Sequence, residues 1–102
     1  MNFLRVRNKP WADGYIKAHA DYIVIDPQNW LGKWQSRFEK SQPLDVEVGT
    51  GKGQFIIEMA KAHPDINFIG VELQKSVIAT ALRKFMTAPL PNLQFVLTDG
   101  AN

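Results

Sequence analysis

Glu47, Glu72 and Asp99 are the residues whose types and positions could do chemistry together. Each belongs to the end of a short apolar run. Leu44, Val46 and Val48 flank Glu47, Asn67-Phe68-Ile69-Gly70-Val71 leads into Glu72, and Leu93–Leu97 leads into Thr98-Asp99-Gly100. Just after Glu47 stand Gly49, Gly51 and Gly53. Glycines let a backbone turn sharply and let a ligand approach with no Cβ in the way. A helical pattern starts at once, and a helix start offers unpaired N–H groups to a negative ligand group. Strand, glycine turn and helix make the first unit of a nucleotide-binding α/β domain. A tight turn without a ligand is the bland alternative for the glycines alone, and the less favoured one.

The spacing narrows the ligand. A dinucleotide fingerprint reads G-x-G-x-x-G, and here the third glycine comes one residue early. A P-loop needs a glycine five residues before the glycine of Gly-Lys and a Ser or Thr after the lysine. Around Gly51-Lys52 those places hold Val46 and Gly53. Glu47 suits a ligand carrying an ammonium better than a pyrophosphate. Glu72 lies 19 residues after Gly53 (72 − 53), near the spacing of the acid that binds ribose hydroxyls. A carboxylate has acceptors for both the 2′- and 3′-OH. Asp99 could accept from an exocyclic adenine amine. One acid at a strand end is commonly a solvated cap. Three, with the glycine turn, point to a nucleoside-type ligand. His63, before Pro64, reads as a helix-end residue rather than a ligand or base.

The elements that must position these residues follow from hydrophobic periodicity. Strands are expected at Leu44–Val48, Asn67–Val71 and Leu93–Leu97. A helix face of Phe55, Ile56, Met59 and Ala60 stops near His63-Pro64. A second helix runs over Lys75–Thr87, with Val77, Ala81, Phe85 and Ile78, Leu82, Met86 as i, i+4 rows. The order β-α-β-α-β implies a mostly parallel sheet with right-handed crossovers. Ahead of it, Asp26-Pro27 reads as the start of a helix to about Glu39, with Trp30, Leu31, Trp34 and Phe38 as an apolar face on the sheet. Tyr22–Ile25 is β-prone, and Ile16–Asp21 suits a short helical turn. Residues 1–15, with Pro10 and Gly14, read as an extended arm. The expected division is a basic arm over 1–25 and an α/β domain over 26–102.

Composition bounds the rest. At 102 residues this is one domain at most, and 45% hydrophobic with 22% charged residues is ordinary for a globular protein. No run of 18 apolar residues and no signal-peptide pattern is present, so no membrane partner is expected. Zero cysteines exclude disulfides and thiolate metal sites and fit a cytoplasmic protein. No metal site is expected. The net charge of +2 is small, but Arg5, Arg7 and Lys9 precede any acidic residue. Such an arm is either a solvated tail or an RNA contact. Trp11 beside it is a packing anchor or a base-stacking surface.

Glu47-x-Gly49-x-Gly51-x-Gly53 resembles the first motif of class I S-adenosylmethionine-dependent methyltransferases. The likeness becomes more specific elsewhere. Leu4–Lys9, Val46–Gly53, Asp65–Val77 and Thr98–Gly100 together resemble bacterial tRNA (guanine-N7)-methyltransferases over nearly the whole chain. Gly70-Val71-Glu72-Leu73-Gln74-Lys75-Ser76 is the most telling stretch. The resemblance implies a Rossmann-like α/β fold. It implies methyl transfer from S-adenosyl-L-methionine to N7 of a variable-loop guanine in tRNA. It implies Glu47, Glu72 and Asp99 as cofactor-binding acids, with Gly49, Gly51 and Gly53 against the methionine portion.

One departure is large. Members of that family continue about as long again and carry a later Asp-Pro-Trp-Pro-Lys-Lys motif that holds the guanine. No residue here matches it. The expectation is therefore the cofactor-binding half of such an enzyme, with no catalytic residue within it. Leu44–Val48 would lie mid-sheet in the whole fold and present a bare edge here, prone to self-association. Two rivals remain. One is a non-catalytic nucleoside-binding module acting as a regulator or assembly partner. The other is a nicotinamide-dependent oxidoreductase, whose glycine spacing is off by one.

Overall fold

Alternation along the strands builds two cores on opposite faces of one sheet. In a computed structural model, which describes residues 9–98, the strands are β1 (Ile23–Val24), β2 (Leu44–Val48), β3 (Asn67–Glu72) and β4 (Leu93–Leu97). All are parallel, in the order β1-β4-β3-β2. Ile23, Phe68, Leu93 and Phe95 face one side, and Val24, Ile69 and Val96 face the other, as the period of two requires.

The first side is covered by α1 (Ala12–Ala18), α2 (Gln54–Ala62) and α3 (Lys75–Phe85). Ile16, Ile56, Ala60, Ile78, Leu82 and Phe85 from these helices close that core. In α3 the buried positions 78, 81, 82 and 85 recur at helical spacing, so a single stripe meets the sheet. Burying a side chain of this size contributes about 1.5–3 kcal/mol, so α3, fully covered at Ile78 and Leu82, anchors the domain. β2-α2-β3-α3-β4 forms a parallel, Rossmann-like unit, as the sequence order implies. None of the helices among the described residues is long and apolar enough to cross a membrane.

Two expectations about the amino-terminal third need correction. The extended reading of residues 1–15 fails from residue 12 on, because Ala12–Ala18 is helical. Pro10 and Gly14 look like breakers, yet Pro10 precedes the helix, where its missing N–H is harmless. The helix forms because Ala12 and Ile16 bury against the core, while Asp13 pairs with Lys75 of α3 at 2.8 Å. Arg83 of α3 also stacks over Trp11 at 4.1 Å, which gives Trp11 a packing role. Tyr22–Ile25 does lie extended on the domain: Ile23 and Val24 pair with Phe95 and Val96. The described part of the 1–25 segment is thus packed on the sheet.

The second correction concerns Pro27–Glu39. In place of one α-helix there are two 3-10 turns, Pro27–Trp30 and Trp34–Arg37. Gly32 between them has φ +74°, a left-handed conformation that ends the helical ladder. Leu31 is consequently exposed, not part of the apolar face. Trp30, Trp34 and Phe38 still pack on Val24, Ile69 and Val96, so most of the apolar stripe reaches the sheet without a helix.

Candidate cofactor-binding site

The glycine turn is fixed from β3. The N–H groups of Gly49 and Thr50 both donate to the carbonyl of Val71, at 2.8 and 2.9 Å. Gly49, Gly51 and Gly53 have φ of +76°, +60° and +81°, so all three occupy conformations that disfavour a side chain. Their surroundings differ. A Cβ on Gly49 or Gly51 would meet nothing within 4 Å, so the turn presents open backbone there. A Cβ on Gly53 would stand 3.1 Å from that of Ala81. The first two glycines leave room for a ligand, and the third lets α2 start tight against α3.

Both described acids are tied to this turn. Glu72 ends β3, and its Oε1 accepts the Gly51 N–H at 2.9 Å. Its Oε2 accepts the N–H groups of Leu73 and Gln74, at 3.1 and 3.2 Å. A carboxylate offers about four acceptor sites, so among the described residues about one on Oε1 stays open beside the turn. Leu73, next to it, is an exposed apolar side chain. Glu47 lies on β2 directly opposite Gly70 of β3. Its Oε1 accepts from the Thr50 hydroxyl at 2.6 Å. Glu47, Gly49, Gly51, Gly53 and Glu72 therefore converge at the carboxyl ends of β2 and β3. Asp99 lies outside the described residues, as do Arg5 and Arg7.

Lys9 is placed elsewhere. Its ammonium donates to the Ser76 carbonyl at 2.8 Å and to the Thr80 hydroxyl, so it fastens the chain to α3. Ser76 is four residues beyond Glu72, and the fastening is made at the end of α3 nearest the site.

Thr50 and Gly70 went unrecognised in the sequence. A Cβ on Gly70 would come within 2.8 Å of Thr50 Oγ1 and 3.1 Å of Thr50 Cβ. Thr50, only 8% exposed, occupies the space that Gly70 leaves. An isolated glycine in an apolar strand is the signal that could have found the pair, because it marks a close approach. Two open hollows flank β2. Glu47 lines one with Phe55 and Met59, and the other, about 270 Å³, is apolar and lined by Trp34, Leu44, Val46 and Val71. Glu72 lines neither, so these hollows belong to the edge of β2 and not to the glycine turn.

Residues 41–102 match the model of a family described as "Putative methyltransferase". Among curated proteins, a tRNA (guanine-N(7)-)-methyltransferase of Levilactobacillus brevis and one of Lactiplantibacillus plantarum are each 61% identical to this chain. Each match covers 95% of this chain and 45% of the relative. A third, of Pediococcus pentosaceus, is 58% identical over 96% of this chain and 46% of its own length. The chain thus spans about half the length of these relatives. Among solved structures, a glycopeptide N-methyltransferase complexed with sinefungin overlaps 91% of this chain and 42% of its own, at 18% identity and a TM-score of 0.48.

Proposed function

The chain belongs to the methyltransferase family whose model spans residues 41–102, and from that membership we propose that it forms the S-adenosyl-L-methionine-binding part of a tRNA (guanine-N7)-methyltransferase. The substrate follows the relatives, which carry that name at 58–61% identity. The observation that carries the reading is the turn itself. Three left-handed glycines are held against two strand-end carboxylates, with open backbone at Gly49 and Gly51.

The residues present fit this cofactor. Glu72 has an acceptor to spare for a ribose hydroxyl, and a second opens if Gly51 yields its place. Leu73 beside it offers an apolar surface to a flat base. Glu47 puts negative charge near the methionine portion, which carries an ammonium. Asp99 is a cofactor-binding acid by the family pattern, and its carboxylate can accept from the adenine amine. When bound, S-adenosylmethionine supplies an electrophilic methyl group on a sulfonium. Guanine N7 already holds the lone pair that attacks, so this part of the chain needs no general base. What its residues contribute is binding and orientation, which bring the reacting atoms into line. The reading places the enzyme in the cytoplasm with its tRNA.

Arg5 and Arg7 are assigned to RNA phosphates, which position a nucleic acid without reading its sequence. Lys9, also assigned there, is engaged on α3 and would contribute chiefly by fixing where the arm begins. Replacing Arg5 and Arg7 by Gln should weaken tRNA binding and flatten its salt dependence. Lys9→Gln should lower stability more than it changes the salt slope.

The deciding experiment uses the full-length protein. Calorimetry should show S-adenosylhomocysteine binding and no NAD binding, and labelled methyl should appear at N7 of a tRNA guanine. NAD binding alone would return the oxidoreductase. S-adenosylhomocysteine binding without methyl transfer would return the nucleoside-binding module.

A further inference from the structure

We propose that Thr50 is a positioning residue for the Glu47 carboxylate, seated by the missing side chain of Gly70. The inference rests on the assignment of Glu47 to the cofactor. Register makes the arrangement possible. Glu47 of β2 and Gly70 of β3 are direct partners in the parallel ladder, so their side-chain positions are neighbours on the same face. At Gly70 that position is empty, and the Thr50 side chain fills it. Its backbone is pinned there by the bond from its N–H to Val71.

Both halves of the threonine side chain matter. Its methyl group would stand 3.2 Å from a Cβ at Gly70, so it occupies the vacated space. Its hydroxyl is then aimed sideways at Glu47 and donates at 2.6 Å. Branching at Cβ restricts rotation about χ1, which keeps the hydroxyl on that heading. Glu47 needs such a partner. It lies on an edge strand of the described sheet, partly buried, and a glutamate loses much rotamer freedom when it is ordered. A carboxylate ordered before the ligand arrives spares that loss on binding. One acceptor site on Oε1 is taken by Thr50, and among the described residues Oε2 has no donor, which leaves it for a cationic ligand group.

The test compares Thr50→Val, which keeps the shape and removes the hydroxyl, with Thr50→Ser, which keeps the hydroxyl. Both are made in the full-length protein, with Glu47→Gln and the double variant Thr50→Val/Glu47→Gln. S-adenosylhomocysteine affinity is read by calorimetry, with KM and kcat for S-adenosylmethionine alongside. Thr50→Val should bind about 3–10-fold more weakly, the range of one ordinary hydrogen bond, because the ligand loses the ordering of Glu47 and no direct contact. KM should rise with little change in kcat, Thr50→Ser should recover most of the affinity, and the double variant should bind no more weakly than Glu47→Gln. If Thr50→Val impairs folding, Thr50→Ala replaces it, judged by the same lack of additivity with Glu47→Gln. Wild-type affinity in Thr50→Val, with a loss in Glu47→Gln, would overturn the positioning role alone. Wild-type affinity in Glu47→Gln would overturn the assignment of Glu47 and this inference with it.

Discussion

Glu47 and Gly70 face each other across β2 and β3, and the side-chain space at Gly70 is filled by Thr50, which bonds Glu47. A substitution in β3 should therefore reach the glycine turn through contact alone. Gly70→Ala places a methyl group 2.8 Å from Thr50 Oγ1, and the backbone of Thr50 leaves little freedom to withdraw. Overpacking of this kind costs about 1–3 kcal/mol. Urea denaturation should show the loss, and S-adenosylhomocysteine affinity should fall as well. Adding Thr50→Ala should restore part of the stability and none of the affinity. A Gly70→Ala protein as stable as wild type would contradict the close approach.

Glu72 joins the ligand assignment to the fold. Its carboxylate accepts three backbone N–H groups, including that of Gly51 in the turn. Glu72→Ala should weaken S-adenosylmethionine binding by about 1.5–3 kcal/mol, as for hydrogen bonds to a charged group. It should also raise hydrogen exchange at the Gly51 amide. Unchanged affinity on calorimetry of the full-length protein would remove Glu72 from the site. Unchanged exchange would deny it the turn.

Gly32 separates two readings of the segment before β2 by sign. Were Pro27–Glu39 one helix, Gly32→Ala would stabilise it by about 1 kcal/mol. With φ at +74°, the same change should instead cost about 1–2 kcal/mol, the penalty for a left-handed residue with a Cβ. No neighbour lies within 4 Å of the added methyl group, so backbone conformation alone sets the outcome. A rise in the unfolding midpoint would favour the helix.

β2 pairs with β3 on one side, and its other edge is unpaired among the described residues. Val46 and Val48 on it are 56% and 82% exposed. Free edges bearing apolar side chains recruit other strands. A 102-residue polypeptide of this sequence should self-associate through that edge or be marginally folded. It should not methylate tRNA, because the residues assigned on β2, β3 and the turn all serve the cofactor. Sedimentation and a methyl-transfer assay would check both points, and Val46→Lys/Val48→Lys should reduce the association. A monomer active on tRNA would refute this account.

The sequence by itself determined the β2-α2-β3-α3-β4 order and the placing of Glu47, the three glycines and Glu72. These depend on local patterns: short apolar runs for the strands, a helical period in α3, and glycines whose spacing already demanded a special backbone. It misjudged α1, because a short helix beside Pro10 and Gly14 is held by contacts with α3 that no local pattern records. Pro27–Glu39 was misjudged for the opposite reason. Aromatic spacing there was helical, but Gly32 could take a left-handed conformation and the sheet surface was satisfied without a helix. Thr50 and Gly70 were decided only by tertiary structure. Twenty residues separate them (70 − 50), and their relation exists because the ladder sets Glu47 opposite Gly70 and the turn folds Thr50 back over that gap.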